Sequence, residues 1–366
     1  MIITIVLFVA GLAALIAGAE LFLKAVDHFG LKWGVSPLIM GLTVVAFATG
    51  APELAISIKA AASGSADLVL GNIVGSNIAN ILLILGITSL IAPINITKRV
   101  IRVDVPIVIA VSALVYILAF DGALTSLDGG ILLMGLVGYS IFTYFTIRKS
   151  REDNEISEVF EYGESVDELA KGAFFYVKNI GFLLTGLVLI VLGSNWMVES
   201  AVEIATVLGM SELVIGLTIV SIGTSLPEVA TSLSAARKGK ADIAVANVLG
   251  SNLYNVLLTL GLTLIIAPNI LDVSADAIKL DLPFMVAVSI ACIPIFVAGF
   301  NLTRTDGSLF LLYYGTYLTY LVLHAIGSPA AQTIELGMLY AVLPLTVIYM
   351  IWRIIRYRKS IKELLA

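Results

Sequence analysis

Two short motifs in this chain place a proline and a carboxylate, or a run of small polar residues, inside strongly apolar sequence, and each occurs twice. The first is Thr49-Gly50-Ala51-Pro52-Glu53, matched by Thr224-Ser225-Leu226-Pro227-Glu228. The second is Gly75-Ser76-Asn77-Ile78-Ala79-Asn80, matched by Gly250-Ser251-Asn252-Leu253-Tyr254-Asn255. Together they offer only oxygen: two carboxylates, hydroxyls, amide oxygens and any main-chain carbonyl that a proline frees. Calcium takes roughly 6–8 oxygens at about 2.3–2.6 Å, which such a set can furnish. Sodium can compete for the same atoms. A soft metal would want Cys or His, and neither occurs in the motifs.

Each residue also has a plainer reading. A lone Glu in an apolar helix can be a neutral acid held for packing. A charged group at mid-bilayer costs at least about 2.5 kcal/mol, and two glutamates at matching positions argue for function instead. Thr49, Thr224, Ser76 and Ser251 can be ligands or interhelical glue. Asn80 and Asn255 read as ligands, whereas Asn77 and Asn252 read as structural residues beside a helix break. Pro52 and Pro227 are expected to break or kink their helices, because proline lacks the N–H and clashes with the preceding turn. Asp67 and Asp242, and likewise Asp104 and Asp281, read as helix caps. Cys292, the single cysteine, reads as a small core residue. His28 and His324 fall near helix ends and suggest no metal site.

The elements that must carry these motifs follow from composition. The chain is 59% hydrophobic and 13% charged, with a mean hydropathy of +1.05. Soluble domains are about half apolar and a quarter charged, so this is an integral membrane protein. A spanning helix needs about 20 apolar residues. Hydropathy gives eleven such stretches: 2–26, 37–62, 69–92, 103–120, 129–147, 175–204, 212–236, 244–267, 281–299, 307–326 and 334–352. The start of the chain lacks the basic region of a signal peptide and reads as a retained helix. Alternating the spans puts nineteen of the 21 Lys and Arg residues on one side, leaving only Lys59 and Lys279 opposite. By the positive-inside rule the N-terminus lies outside, and the central loop and C-terminus lie in the cytoplasm.

Residues 41–86 and 216–261 align without a gap at an offset of 175, with 23 of 46 positions identical. Weaker matches pair Gly11 with Gly186, Gly18 with Gly193, Ser36 with Ser211 and Pro93 with Pro268. A two-residue slip then pairs Asp104 with Asp281. Each copy holds five spans. An odd number forces the second copy to enter the membrane from the other side, and inverted repeats of this kind place a substrate site near the midplane between them. The expected fold is therefore all-α: two inverted five-helix repeats forming a ten-span core, plus one C-terminal helix. The boundaries are 1–147 for the first repeat, 148–172 for an acidic cytoplasmic loop, 173–326 for the second repeat, 327–352 for the extra span and 353–366 for a basic tail.

The paired Pro-Glu and Gly-Ser-Asn-x-x-Asn motifs resemble the two alpha-repeats of the calcium/cation antiporter superfamily, in particular the prokaryotic sodium/calcium exchangers. The likeness covers essentially residues 1–326. It implies that the second, third, seventh and eighth spans surround the ions, and that Glu53 and Glu228 ligate calcium and share in sodium binding. It further implies ligand positions at Thr49, Ser76, Thr224, Ser225 and Ser251, with main-chain carbonyls from Ala46 and Ser221. Two positions depart from the usual pattern. Gly50 stands where a serine is common, so one hydroxyl is missing. Asn255 stands where many relatives carry aspartate, which argues for potassium independence.

The expected function is exchange of Ca2+ for Na+ by alternating access, with these two ions and the lipid bilayer as the only partners. No cofactor, enzymatic activity, nucleic acid or protein partner is indicated, and the plasma membrane is the expected location. A calcium/proton antiporter is the main alternative, since a buried carboxylate can also carry protons. An intramembrane hydrolase lacks an HExxH-type metal motif and leaves the repeat unexplained. A passive channel has no need for two buried carboxylates.

Overall fold

The computed structural model describes residues 2–152, 173–210, 215, 218–219, 221–267 and 270–357. The chain folds as an all-α bundle. Its helices are α1 (Ile2–Trp33), α2 (Pro37–Thr49), α3 (Ala51–Ala62), α4 (Ala66–Ile91), α5 (Val100–Asp121), α6 (Ser126–Glu152) and α7 (Ala173–Val207). There follow α8 (Ser221–Thr224), α9 (Leu226–Arg237), α10 (Ala241–Ile266), α11 (Ala277–Val297), α12 (Arg304–Ala325) and α13 (Ala330–Arg356). Eight of the described helices are long and apolar enough to cross a membrane, and a ninth span results if α2 and α3 count as one. Helix α12 is less apolar, because tyrosines and a histidine interrupt its leucines. Much of the expected loop 148–172, the tail beyond residue 357, and Ser211 and Pro268 lie outside the described residues.

Helices α4 and α10 form the centre, with 72% of their apolar stretches buried against 6–44% for the other six long apolar helices. Their interior faces are made of small and β-branched side chains such as Ile73, Ile78, Val248 and Val256, all buried. Helices α1 and α7 run against each other along their length on the outside. The contact is reciprocal: a Cβ on Gly11 would meet the Gly193 carbonyl at 2.8 Å, and one on Gly193 would meet the Gly11 carbonyl at 2.6 Å. Gly18 and Gly186 repeat this at 2.7 and 2.8 Å. Since Gly11 aligns with Gly186 and Gly18 with Gly193, each glycine meets the repeat mate of its neighbour. A two-fold relation between the halves produces this pattern of exchanged partners.

Two short antiparallel strand pairs close the ends of the bundle. Strand β1 (Ile94–Asn95) pairs with β4 (Asn301–Leu302), and β2 (Ala123–Leu124) pairs with β3 (Leu271–Asp272). The whole of α5 separates the first pair from the second, about 33 Å at 1.5 Å per residue. The repeat maps β1 onto β3, so it carries one end of the molecule onto the other, as an inverted repeat must. Contacts at the ends agree with the sorting of basic loops. Lys240 pairs with Asp27 at 2.5 Å, and His28 meets Asn179 at 2.6 Å, at the end that holds β1 and β4. His324 meets Asp276 at 3.3 Å at the opposite end.

Helix α13 has one strong attachment. Arg353, 3% exposed, is ion-paired with the fully buried Asp306 at the start of α12 and donates to the Ala298 carbonyl at 2.6 Å. Asp306 also accepts from Tyr349 at 2.8 Å and completes a capping box with Thr303. Removing one partner of a buried pair strands the other charge and typically costs about 3–5 kcal/mol. Arg353→Leu is therefore expected to lower thermal stability in detergent sharply, and Arg353→Leu combined with Asp306→Asn to lower it less.

Two local expectations need correction. The aspartates do not cap helices. Asp104 and Asp281 sit inside helices that begin at Val100 and Ala277, and neither makes a capping hydrogen bond. Asp281 instead accepts from Tyr317 at 2.9 Å, while Asp104 lies 3.7 Å from Arg99 Nε. Asp67 and Asp242 lie in first turns whose N-cap positions are Ser65 and Lys240, where a carboxylate favours the helix dipole. The prolines are not the break points either. The breaks fall at Gly50 and Ser225, with φ, ψ of −77°, 1° and −87°, 4°. Pro52 and Pro227 stand in the first turns of α3 and α9, where a missing N–H costs nothing.

Candidate ion-binding site

The helix α2 bends by 42° into α3 at Gly50. This break brings Thr49, at the end of α2, and Glu53, in the first turn of α3, to one level. The second half repeats the arrangement with Thr224, Ser225 and Glu228. Helices α4 and α10 pass beside the breaks and contribute Ser76, Asn80, Ser251 and Asn255. Starting at the last residue of each motif, these helices widen into a π turn, at Asn80–Ile84 and Asn255–Leu260. Such turns are frequent at functional sites, because they release backbone groups from the regular ladder.

Thr49, Glu53, Ser76, Asn80, Ser225, Glu228, Ser251 and Asn255 are all between 0% and 2% exposed. The hydroxyls of Thr49 and Ser251 lie beside the Glu228 carboxylate. Eight buried oxygens in this cluster nevertheless lack a hydrogen bond of sound geometry: Glu53 Oε2, both carboxylate oxygens of Glu228, the hydroxyls of Ser76, Ser225 and Ser251, and Oδ1 of Asn80 and Asn255. Buried polar atoms are normally paired, and a concentration of unpaired acceptors marks a place where something else must satisfy them. An oxygen-rich cluster with two carboxylates suits a hard cation. Residues expected from the sequence to be far apart in the chain are thus brought together.

The remaining expected positions fall as follows. Ala46 is fully buried, and its carbonyl accepts from Gly50 N at 3.1 Å, which leaves its second lone pair available. Thr224 is half-buried at the end of α8. The side chain of Ser221 lies outside the described residues. Position 50 faces the cluster: a Cβ there would stand 3.7 Å from Asn255 Oδ1 and 3.2 Å from the Ala46 carbonyl. Its repeat mate Ser225 supplies an unpaired hydroxyl at the equivalent place, so the two half-sites differ by one oxygen. An apolar cleft of about 490 Å³ between α11, α12 and α13, lined by Phe284, Pro294 and Tyr313 among others, contains none of these groups.

Two positioning residues escaped the reading of the sequence. Asn72 donates to the Glu53 carbonyl at 3.1 Å and to Ser57 Oγ at 2.9 Å. Asn247 donates to the Glu228 carbonyl at 3.4 Å and to Thr231 and Ser232 hydroxyls at 3.0 Å. Its Oδ1 also accepts from Thr49 at 3.3 Å, which ties the second half to the first. The signal was available, for Asn72 and Asn247 are identical at the repeat offset. What they touch was not, because each bond crosses from one helix to another.

Comparison with known proteins settles the relationship. A family profile described as "Sodium/calcium exchanger protein" matches residues 3–146 and 178–323. The chain belongs to the sodium/calcium exchanger family. It is 34% identical to the putative antiporter CaxA of Alkalimonas amylolytica over 75% of this chain and 84% of that protein. It is 31% identical to the sodium/calcium exchanger MaX1 of Methanosarcina acetivorans, over 85% of this chain and 96% of that one. Its structure is similar to that of the sodium-calcium exchanger NCX_Mj soaked without Na+ and Ca2+, with a TM-score of 0.72 and 26% identity, covering 87% of this chain and 99% of that chain. As a member of this family it is a multi-pass membrane antiporter.

Proposed function

We propose that this exchanger-family antiporter moves Ca2+ outward or inward in exchange for Na+ by alternating access, binding both ions between the two broken helices. The reading rests chiefly on the eight unpaired buried oxygens, which gather on the two Pro-Glu and two Gly-Ser-Asn motifs. Glu53 and Glu228 neutralise one divalent cation. Hydroxyls of Thr49, Ser76, Thr224, Ser225 and Ser251, amide oxygens of Asn80 and Asn255, and carbonyls of Ala46 and Ser221 complete the set shared by calcium and sodium. Gly50 removes one hydroxyl from the first half-site, so sodium binding there relies on backbone oxygen.

The two repeats extend over residues 1–147 and 173–326, with the C-terminal span of 327–352 outside them. The protein lies in the plasma membrane with its N-terminus outside, so that the end holding β1, β4 and most of the lysines and arginines faces the cytoplasm. The ions are its cargo, and no cofactor or protein partner enters the cycle.

The deciding assay is calcium-45 uptake by proteoliposomes loaded with sodium, with potassium, or with only a pH gradient. Uptake driven by internal sodium alone is expected. Uptake that follows the pH gradient and ignores sodium would assign the protein to calcium/proton exchange instead.

A further inference from the structure

We propose that Asn77 and Asn252 are positioning residues that decide which end of the Asn80 and Asn255 amides meets the ion. The proposal rests on the reading of Asn80 and Asn255 as ion ligands. An asparagine amide has an accepting oxygen and a donating NH2 of nearly the same shape. Turned one way it binds a cation; turned the other way it points two positive hydrogens at it. Nothing in the shape of the cavity chooses between the two. Only the partner of the nitrogen does.

That partner is supplied across the two-fold. Asn80 Nδ2 donates to Asn252 Oδ1 at 2.9 Å, and Asn255 Nδ2 donates to Asn77 Oδ1 at 3.2 Å. The orientations of Asn252 and Asn77 are themselves fixed, because Asn252 Nδ2 donates to the Asn77 carbonyl at 3.1 Å and Asn77 Nδ2 to the Asn252 carbonyl at 3.4 Å. A carbonyl can only accept, so each chain of bonds has an unambiguous origin. From the Asn77 carbonyl it runs to the Asn252 amide, then to the Asn80 amide, and leaves Asn80 Oδ1 unpaired. The mirror chain leaves Asn255 Oδ1 unpaired. All four side chains are at most 2% exposed, so water does not compete for these bonds. Turning Asn77 or Asn252 would set oxygen against oxygen and nitrogen against nitrogen at its two contacts, and turning Asn80 or Asn255 would set oxygen against oxygen at its one contact. Each half of the protein therefore orients a ligand of the other half.

The test is a double-substitution cycle read by calcium binding to the purified full-length protein in detergent, using calcium chloride and titration calorimetry, with melting temperature recorded in parallel. Asn252→Leu removes the acceptor for Asn80 and is expected to weaken calcium binding about tenfold, as loss of an outer partner to a metal ligand commonly does. In an Asn80→Asp background both ends of the side chain are oxygen, so orientation no longer matters; the oxygen that replaces Nδ2 is set against Asn252 Oδ1, a repulsion that Asn252→Leu removes. There Asn252→Leu is expected to weaken binding little or to strengthen it. A purely structural role for Asn252 would give the same loss in both backgrounds, and that result would overturn the proposal. Asn252→Asp keeps both bonds as a neutral acid, its O–H donating to the Asn77 carbonyl and its other oxygen accepting from Asn80, and is expected to lose far less than tenfold; a tenfold loss would also overturn the proposal, and this variant decides the matter if Asn252→Leu does not fold. Absence of calcium binding by the parent protein would sink the ion-site reading itself, and this proposal with it.

Discussion

Glu53→Gln and Glu228→Gln are each expected to reduce sodium-driven calcium uptake by at least about 100-fold. Glutamine preserves volume and one acceptor oxygen but removes a negative charge and substitutes a donor for the second oxygen. Losing an outer partner of a metal ligand already costs about 10–100-fold in affinity, and in the proposed site these are the charged ligands. Both carboxylates are at most 1% exposed, so water does not stand in for the lost charge. Groups that act as a unit are not additive, and the doubly substituted protein should be little worse than either single one. The measurement is initial calcium-45 uptake normalised to reconstituted protein. A variant that folds and keeps half of the parent rate would remove its glutamate from the site.

Gly250→Ala should have the second largest effect, although it adds a single methyl group. Helix α10 crosses α2 at this residue. A Cβ there would meet the Leu42 carbonyl and Ala46 Cβ at 2.7 Å, and Leu42 Cα at 2.9 Å. None of these atoms can swing aside, so the two helices must part. The helices that separate are those that carry Ala46 and Thr49 on one side and Ser251 and Asn255 on the other. Overpacking of this kind costs about 1–3 kcal/mol, and displacing ligands from a fixed geometry costs transport as well. Exchange at least tenfold slower, with a lower melting temperature, is expected. Gly71→Ala serves as the control, since a Cβ at Gly71 meets nothing within 4 Å. Gly71→Ala should be silent in transport, and helix propensity favours it by about 1 kcal/mol. Equal behaviour of the two variants would show that the crossing at Gly250 does not hold the site.

The apolar composition and the repeat at an offset of 175 made the membrane bundle and its inverted halves legible from the sequence. They are legible because lipid forces each span to satisfy its own backbone and to keep its charges at its ends, and these are local demands on residue type. The glutamates could be singled out for the same reason: a carboxylate in an apolar helix is costly wherever it lies along the chain. The breaks at Gly50 and Ser225, rather than at the prolines, were not legible. A proline in the first turn of a helix and a proline that kinks one look alike in sequence, and only the backbone path distinguishes them. Asp104 and Asp281 went the same way, since a continuous helix through Val100 or Ala277 turns a would-be cap into an interior residue.

What tertiary structure alone decided is the direction of the polar side chains. Thr49 reaching Asn247, Asn80 reaching Asn252 and Asn255 reaching Asn77 are all bonds between residues at least 172 positions apart. Sequence names the oxygens and nitrogens. Which of them is spent within the protein, and which is left for a cation, depends on the partner that packing of the two halves brings within about 3 Å, and no local rule carries that information.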